Sequence, residues 1–141
     1  MRNILFLTLI HLVAFAYTQT AKDVNILLQK TIDLSALKAH YSEEEVSGYT
    51  PIILINDENI PDNLILFKFN KRVKLLTPEE IETLSKIYKG NLDSYFQLKI
   101  FKLDDSKAEV IGTFRKHNPI NIKVVFEKDN GDWKIISSKA G

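Results

Sequence analysis

The sequence predicts an α+β domain: an N-terminal helix or helix pair and one capped middle helix, packed on an antiparallel sheet that ends in a four-stranded meander. Two observations predict this class. Apolar residues recur at spacings of three and four before residue 37 and again around residue 84, which is the period of an amphipathic helix. From residue 94 onward the period is two, and short polar turns separate four such stretches, so neighbouring strands are expected to be antiparallel.

The first 20 residues have the three-part pattern of a cleavable signal peptide. A basic residue precedes an apolar run from Ile4 to Tyr17, and Ala14-Phe15-Ala16 places small residues where a signal peptidase cuts, although a cut nearer Thr20 fits as well. The run is shorter than the roughly 20 apolar residues of a membrane-spanning helix, so an uncleaved anchor is the less favoured alternative. We therefore expect residues 1–20 to be a signal peptide and residues 21–141 to be a single α+β domain. This domain is expected to be periplasmic or secreted, without stable insertion in a membrane.

The composition excludes several classes of function. The chain has no cysteine, so it has no disulfide, no lipidated thiol and no thiolate nucleophile or metal ligand. It also has no Asn-x-Ser/Thr acceptor for N-glycosylation, and both absences favour a bacterial over a eukaryotic exported protein. Without the leader, basic and acidic residues number 18 each. This balance predicts no nucleic-acid partner and gives no electrostatic reason to expect a membrane-surface role.

The segments before residue 52 are predicted to be helical and then irregular. Residues 22–37 carry an apolar stripe that predicts an amphipathic helix, either kinked near Asp33 or divided into two, with Ser35 placed to cap the second part. Residues 43–51 are predicted to be a loop, because glycine and proline interrupt them and no apolar period continues. The stripe consists of Val24, Leu27, Leu28 and Ile32.

Short strands are predicted in the middle of the chain. Ile52–Ile55 is a β-branched apolar run bounded by proline and by Asn-Asp, which is typical of a buried strand. Leu64–Phe69 and Val73–Leu76 flank Asn70-Lys71-Arg72 and alternate apolar with basic residues. That pattern predicts a hairpin.

Thr77-Pro78-Glu79-Glu80 predicts the start of a helix. It combines an N-cap threonine, proline at the first helical position and glutamate three residues after the cap. Gly90, which tolerates a positive φ, is predicted to end the helix. The apolar face of this helix would consist of Ile81, Leu84, Ile87 and Tyr88.

The last third of the chain predicts the meander. Its strands are expected at 94–103, 107–115, 120–127 and 133–138, and Asn130-Gly131 is a favourable hairpin turn before the last of them. Alternate residues on the third strand form a clean apolar face, which indicates a sheet covered by helices on one side. That face consists of Ile120, Ile122, Val124 and Phe126.

The order helix, hairpin, capped helix and meander, with a final strand that reads Gly131-x-Trp133-Lys134-Ile135, resembles exported bacterial domains of the nuclear transport factor 2-like superfamily. The same arrangement of a helix on a curved sheet also resembles cystatin-like domains. The resemblance implies a sheet that curves around the helices and adds no defined function. Enzymes of the superfamily have an acid-base Asp or His on the inner sheet face, and no residue of this sequence can be assigned to that position.

Candidate site residues come from a loop and from aromatic strand positions. Asp57 and Glu58 follow a buried strand, which is a common location for ligand contacts. Tyr95, Phe101 and Trp133 would line a pocket if the sheet curves, or form the core if it does not. These five residues are the candidates for a binding site.

Catalytic and metal-binding motifs are missing from the sequence. It has no nucleophile elbow, no phosphate-binding glycine loop and no His-Glu-x-x-His. His40 and His117 each lack a second ligand nearby, so both are predicted to be surface or turn residues. We therefore expect no catalytic residue, no metal site and no cofactor.

The favoured hypothesis is a non-catalytic binding or interaction module of the bacterial envelope or secreted fraction, with a protein or a small molecule as its unidentified ligand. The alternative is a small pocket enzyme of the cone-shaped α+β type, and a purely structural role in the envelope is a third. A filled interior would favour binding, whereas an acidic or histidine side chain beneath an open mouth would favour the enzyme.

Overall fold

The structure is a computed structural model that describes residues 20–90 and 92–141. The predicted signal peptide and its cleavage site at Ala14-Phe15-Ala16 lie outside the described residues, except for Thr20. The described chain has an α+β fold with a mixed sheet and a C-terminal antiparallel meander. Within residues 20–90 and 92–141, no helix is both long and apolar enough to cross a bilayer.

The elements follow one another from an N-terminal helical part to a C-terminal sheet. They are α1 (helical residues 20–32), a 3-10 helix (Ser35–His40), α2 (Glu43–Ser47), β1 (Ile53–Ile55), β2 (Phe67–Lys68), β3 (Lys71–Arg72), β4 (Lys74–Leu76), α3 (Pro78–Ile87), β5 (Tyr95–Leu103), β6 (Lys107–Phe114), β7 (Ile120–Asp129) and β8 (Asp132–Ala140). The main sheet has the strand order β4-β1-β5-β6-β7-β8. In it β1 is parallel to both of its neighbours, and the other pairs are antiparallel.

The predicted meander is confirmed in β5 to β8. Its last turn is formed by Asn130 (φ 50°) and Gly131 (φ 84°), two consecutive left-handed residues of the kind that a two-residue hairpin requires. Two β-bulges interrupt the pairing, one at Phe101 in β5 and one at Ile136 in β8. The alternation of apolar and polar residues within each strand, together with the turn residues between strands, is therefore enough to specify the meander.

The predicted hairpin is confirmed only around its turn. Phe69 (φ 52°) and Asn70 (φ 59°) connect β2 to β3, which are two residues each. Val73 continues the hairpin, because its N–H donates to the Leu66 carbonyl at 2.8 Å. The prediction is wrong for Lys74–Leu76, which pairs in parallel with β1 in the main sheet. The buried strand β1 thereby gains a hydrogen-bonded neighbour on each side, and this long-range pairing is not visible in local alternation.

Several predicted helix boundaries are corrected. The loop predicted at 43–51 begins with the helix α2, which Ser42 and Glu45 start with a capping box. The 3-10 helix has Leu34 at its N-cap and no side-chain cap bond, so Ser35 does not serve as the cap.

The capping box of α3 is confirmed, but the predicted end of that helix is wrong. Thr77 and Glu80 form the predicted pair of hydrogen bonds at its start. The helix ends with Tyr88 as its C-cap, in extended backbone at φ −84° and ψ 118°, two residues before Gly90. Residues of α3 are at most partly buried, so the N-terminal helices contribute the buried helical residues of the core.

The core lies between the N-terminal helices and one side of the sheet, which we call the inner face. The predicted apolar stripe of α1 is confirmed, since all four of its residues are buried in this core. Phe96 and Phe114 stack there with ring centroids 4.5 Å apart, and Phe126 and Trp133 are buried beside the same cluster. Aromatic and aliphatic side chains thus fill the inner face.

Candidate functional site

The opposite side of the meander, which we call the outer face, carries polar side chains in register. Gln97 pairs with Thr113, and Thr113 pairs with Asn121, so an amide, a hydroxyl and a second amide form one row across β5, β6 and β7. Gln97 and Asn121 are exposed, and Thr113 is partly so. We call these three residues the amide row.

A second row lies two residues further along each strand. Lys99 pairs with Ile111, Ile111 with Lys123, and Lys123 with Lys139 of β8. All three lysines are exposed. We call these four residues the lysine row, and its separation from the amide row is about 7 Å, the rise of two residues in a strand.

A groove of about 450 Å³ lies over the amide row and over Lys99 and Ile111, the first two members of the lysine row. Asp57 and neighbouring residues of β5, β6 and β7 also line it. Gly112 is one of these neighbours. A Cβ atom at that position would lie 2.0 Å from the Gln97 carbonyl oxygen, so any other residue would force the two strands to shift. The close approach of β5 and β6 at the groove thus depends on glycine.

The structure does not bring the five predicted candidates together. Asp57 is the one that lines the groove, where its Oδ1 accepts a hydrogen bond from the Asn59 backbone N–H at 3.1 Å. Glu58 is exposed beside it in the same turn. Tyr95 is partly buried at the start of β5, Phe101 is 62% exposed at a bulge, and Trp133 is 2% exposed in the core.

A separate ion-pair network lies at the end of the sheet where β5 begins and β6 ends. Arg115 donates through Nη2 to Glu45 Oε2 at 2.9 Å and through Nη1 to Asp93 Oδ2 at 3.1 Å. Its Nε donates to the His40 carbonyl at 2.9 Å, and the Ser94 hydroxyl donates to Glu45 Oε1. Glu45 and Ser94 are fully buried. The network therefore ties α2 and the 3-10 helix to two strands of the sheet.

Both carboxylates of this network are held in the ionised form. Burial by itself would raise the pKa of Glu45, but hydrogen bonds from Ser94 and from the N-cap amide of α2, with the charge of Arg115, lower it below its usual value. Burial also opposes ionisation of Asp93. There the backbone N–H of His117 and the Arg115 guanidinium outweigh it and lower the pKa.

His117 is the exposed end of the network. Its Nδ1 lies 3.0 Å from Asp93 Oδ1, and its backbone N–H donates to the same oxygen at 2.8 Å. Arg115 (φ 76°) and Asn118 (φ 52°) have left-handed backbone on either side of it. This geometry is that of a turn organised around one carboxylate, and it confirms the prediction of a turn residue.

The residues of both rows were missed as a site because their juxtaposition depends on strand register. Alternation alone assigns Gln97 and Lys99 to the polar side of β5, but it does not show which residues of β6 to β8 lie beside them. Within residues 20–90 and 92–141, no group of three or more His, Asp or Glu side chains is placed to hold a metal ion.

Comparison with protein-family models, curated proteins and solved structures finds no match to this chain. The resemblance to nuclear transport factor 2-like and cystatin-like domains therefore stays an expectation. The function has to be argued from the residues of the chain itself.

Proposed function

We propose that the chain is an exported, non-catalytic binding module whose ligand contacts the outer face of the sheet. The observation that carries this proposal is the groove over the amide row, which the lysine row borders and enters through Lys99 and Ile111. Its polar side chains stand on three hydrogen-bonded strands, which hold them in fixed relative positions. A ligand that fits this spacing would bind without reordering the backbone.

The filled inner face supports binding rather than catalysis. The resemblance implies that a pocket enzyme of the cone type would use this side of the sheet, and Phe96, Phe114, Phe126 and Trp133 occupy it. The amide row and the lysine row, whose polar groups could contact a ligand, are instead on the outer face.

Mapping of probe binding by NMR tests the proposal. Residues 21–141, labelled with ¹⁵N, would be titrated with a panel of neutral and acidic polysaccharides and of acidic and basic peptides. We expect shifts that cluster at residues 97–99, 111–113 and 121–123 with at least one class of probe. Gln97→Ala/Asn121→Ala should abolish these shifts, whereas the matched pair Gln29→Ala/Asn63→Ala, away from this face, should not. Shifts confined to other surfaces, or no shift with any probe, would contradict the proposal.

Export is the second part of the proposal, supported by the signal-peptide pattern of residues 1–20. Mass spectrometry of the protein from cells should show a mature N-terminus between residues 17 and 22. A membrane-bound product that retains Met1 would contradict cleavage.

A small hydrolase or isomerase is the alternative, and the Asp93–His117 pair is the observation that favours it. The Asp93 carboxylate lies 3.0 Å from His117 Nδ1 and holds the imidazole in one orientation. The other ring nitrogen, Nε2, could then exchange a proton with a substrate. His117→Gln would remove that capacity and keep the turn. Probe shifts centred on residues 93 and 115–118, lost in this variant, would favour the enzyme over the binding module.

A further inference from the structure

The outer face collects lysines that the sequence scatters along four strands. Strand register places six lysines on it, all exposed, against two glutamates and two aspartates. Residues 21–141 have equal numbers of acidic and basic residues, whereas this face has two more lysines than carboxylates, and both aspartates lie at the β7–β8 turn, where Asp129 pairs with Lys134. The six lysines are Lys99, Lys102, Lys107, Lys123, Lys134 and Lys139, and the four carboxylates are those of Glu109, Glu127, Asp129 and Asp132.

Two of these lysines face each other directly. Lys123 and Lys139 are cross-strand partners, an arrangement that destabilises a sheet because like charges repel. Glu109 Oε1 lies 2.8 Å from Lys123 Nζ and neutralises one of the two. Neither Lys99 nor Lys139 forms a salt bridge with a described residue, and Asp57 is the one carboxylate that lines the groove beside them. An anion bound across this row would relieve the repulsion.

The neighbouring amide row limits what kind of anion fits. The side chains of Gln97, Thr113 and Asn121 both donate and accept hydrogen bonds, which suits a ligand rich in hydroxyl groups. Ile111 is the one apolar residue among the seven members of the two rows. The rows therefore contain no aromatic side chain on which a nucleic-acid base could stack.

We infer that the outer-face ligand is an anionic polysaccharide that places hydroxyl groups on the amide row and carboxylate or sulfate groups on the lysine row. This inference rests on the proposed binding function of the same face. Strands about 4.8 Å apart present one side chain after another along each row, and all of them except Ile111 are polar. A polymer lying across the strands would therefore meet repeated contacts.

Two matched pairs of probes test the charge requirement. The first pair is polygalacturonate and its fully methyl-esterified form, and the second is dextran sulfate and dextran. The members of each pair share a sugar backbone and differ in whether it carries negative groups. With residues 21–141 in low salt, we expect at least one anionic probe to bind tenfold or more tightly than its neutral partner. Raising the salt should remove most of that difference, because exposed charges are screened over about 10 Å at 0.1 M ionic strength.

Variants then assign the effect to the lysine row. K99Q/K123Q/K139Q should weaken binding of the anionic probe at least tenfold and leave any binding of its neutral partner unchanged. The matched control K30Q/K38Q/K89Q removes three exposed lysines elsewhere and should change binding less than twofold. Equal losses in both triple variants, or none in the first, would overturn the inference. Thermal melts confirm that each variant is folded.

The remaining outcomes separate this inference from the proposal on which it rests. If neutral and anionic probes bind equally and shift the amide-row signals, the charge requirement is wrong. The proposed binding function of the outer face would still stand. Tighter, lysine-dependent binding to phosphatidylglycerol vesicles or to single-stranded DNA would overturn the polysaccharide in favour of another polyanion. If no polysaccharide probe binds while a peptide shifts the outer face, the inference fails and the proposed function stands. The absence of outer-face shifts with every probe would overturn both.

Discussion

The two helices α2 and α3 begin with the same motif and yet have different roles. Ser42 and Glu45 form the capping box of α2, with the Ser42 backbone N–H donating to Glu45 Oε2 at 2.7 Å. Thr77 and Glu80 form that of α3, with the equivalent bond at 2.8 Å. The return bonds from N3 amide to cap oxygen are both 3.3 Å. The local geometry of the two helix starts is thus the same.

The difference lies in what the capping glutamate contacts beyond its own helix. Glu45 is buried and binds Arg115 and Ser94, whereas Glu80 is exposed. The helix α2 has five residues, too few to be stable from helix propensity, so its tertiary contacts hold it. The helix α3 has ten residues and buries none of them. A capping motif therefore determines where a helix begins, and the packing partners determine what it contributes to stability.

The largest expected effect is that of Glu45→Ala. It would leave the partly buried Arg115 guanidinium with Asp93 as its remaining carboxylate partner in the network and would remove the acceptor of the Ser94 hydroxyl, at a cost of about 3 kcal/mol in the free energy of unfolding. Urea denaturation measures this, with Glu80→Ala as the matched control in the other capping box. Equal losses in the two variants would show that Glu45 acts only as a cap.

Acid should weaken the contacts that Glu45 and Asp93 make around α2. The pKa values of Glu45 and Asp93 are lowered in the folded chain, so both carboxylates stabilise it above the ordinary carboxylate pKa of about 4. That stability is lost as the pH falls through their folded pKa values. We expect the difference in free energy of unfolding between wild type and Glu45→Gln to narrow steadily below pH 4. A constant difference from pH 7 to pH 3 would contradict the assignment.

Lys71 should stabilise the C-terminal end of α2. Its Nζ donates to the carbonyls of Glu45, Gly48 and Thr50 at 2.5, 3.2 and 2.9 Å, which holds the C-terminal end of α2 and the loop after it. Lys71→Met should cost about 2 kcal/mol, since the bonds are charge-assisted. The neighbouring exposed Arg72→Met is the control. Hydrogen exchange at residues 46–50 should accelerate in the first variant, and unchanged protection there would contradict this role.

The parts of the fold that were predictable are those specified by adjacent residues. The meander follows from alternation and from Asn130-Gly131, and the start of α3 follows from Thr77 and its neighbours. The parallel pairing of Lys74–Leu76 with β1 was not predictable, because a three-residue strand has no period that identifies its partner. The start of α2 was predictable in principle, since Ser42 and Glu45 have the spacing of a capping box.

The candidate site was less predictable than the fold. Asp57 was recognised from its place after a buried strand, and it does line the groove. The two rows depend on register across four strands, and a shift of one residue would separate Lys99 from Lys123. For Trp133 the sequence left two positions open, pocket lining or core, and the structure places the ring in the core.

The smallest expected effect is at the α3 cap, where Thr77 and Glu80 hydrogen-bond to each other and, among the described residues, the structure shows no tertiary hydrogen bond to either side chain. Thr77→Ala removes the hydroxyl that accepts from the Glu80 backbone N–H, and it should cost about 1 kcal/mol in the free energy of unfolding. Glu80→Ala should cost less, because the exposed Thr77 N–H that it frees can bond to water. Thr83→Ala, on the same helix and bonded only to the Glu79 carbonyl, is the control and should be neutral. If Thr77→Ala matched that control in urea denaturation, the cap of α3 would contribute nothing. The two capping boxes would then differ fully in their effect, because the free energy of unfolding would depend on the tertiary contacts of Glu45 and not on the capping bonds themselves.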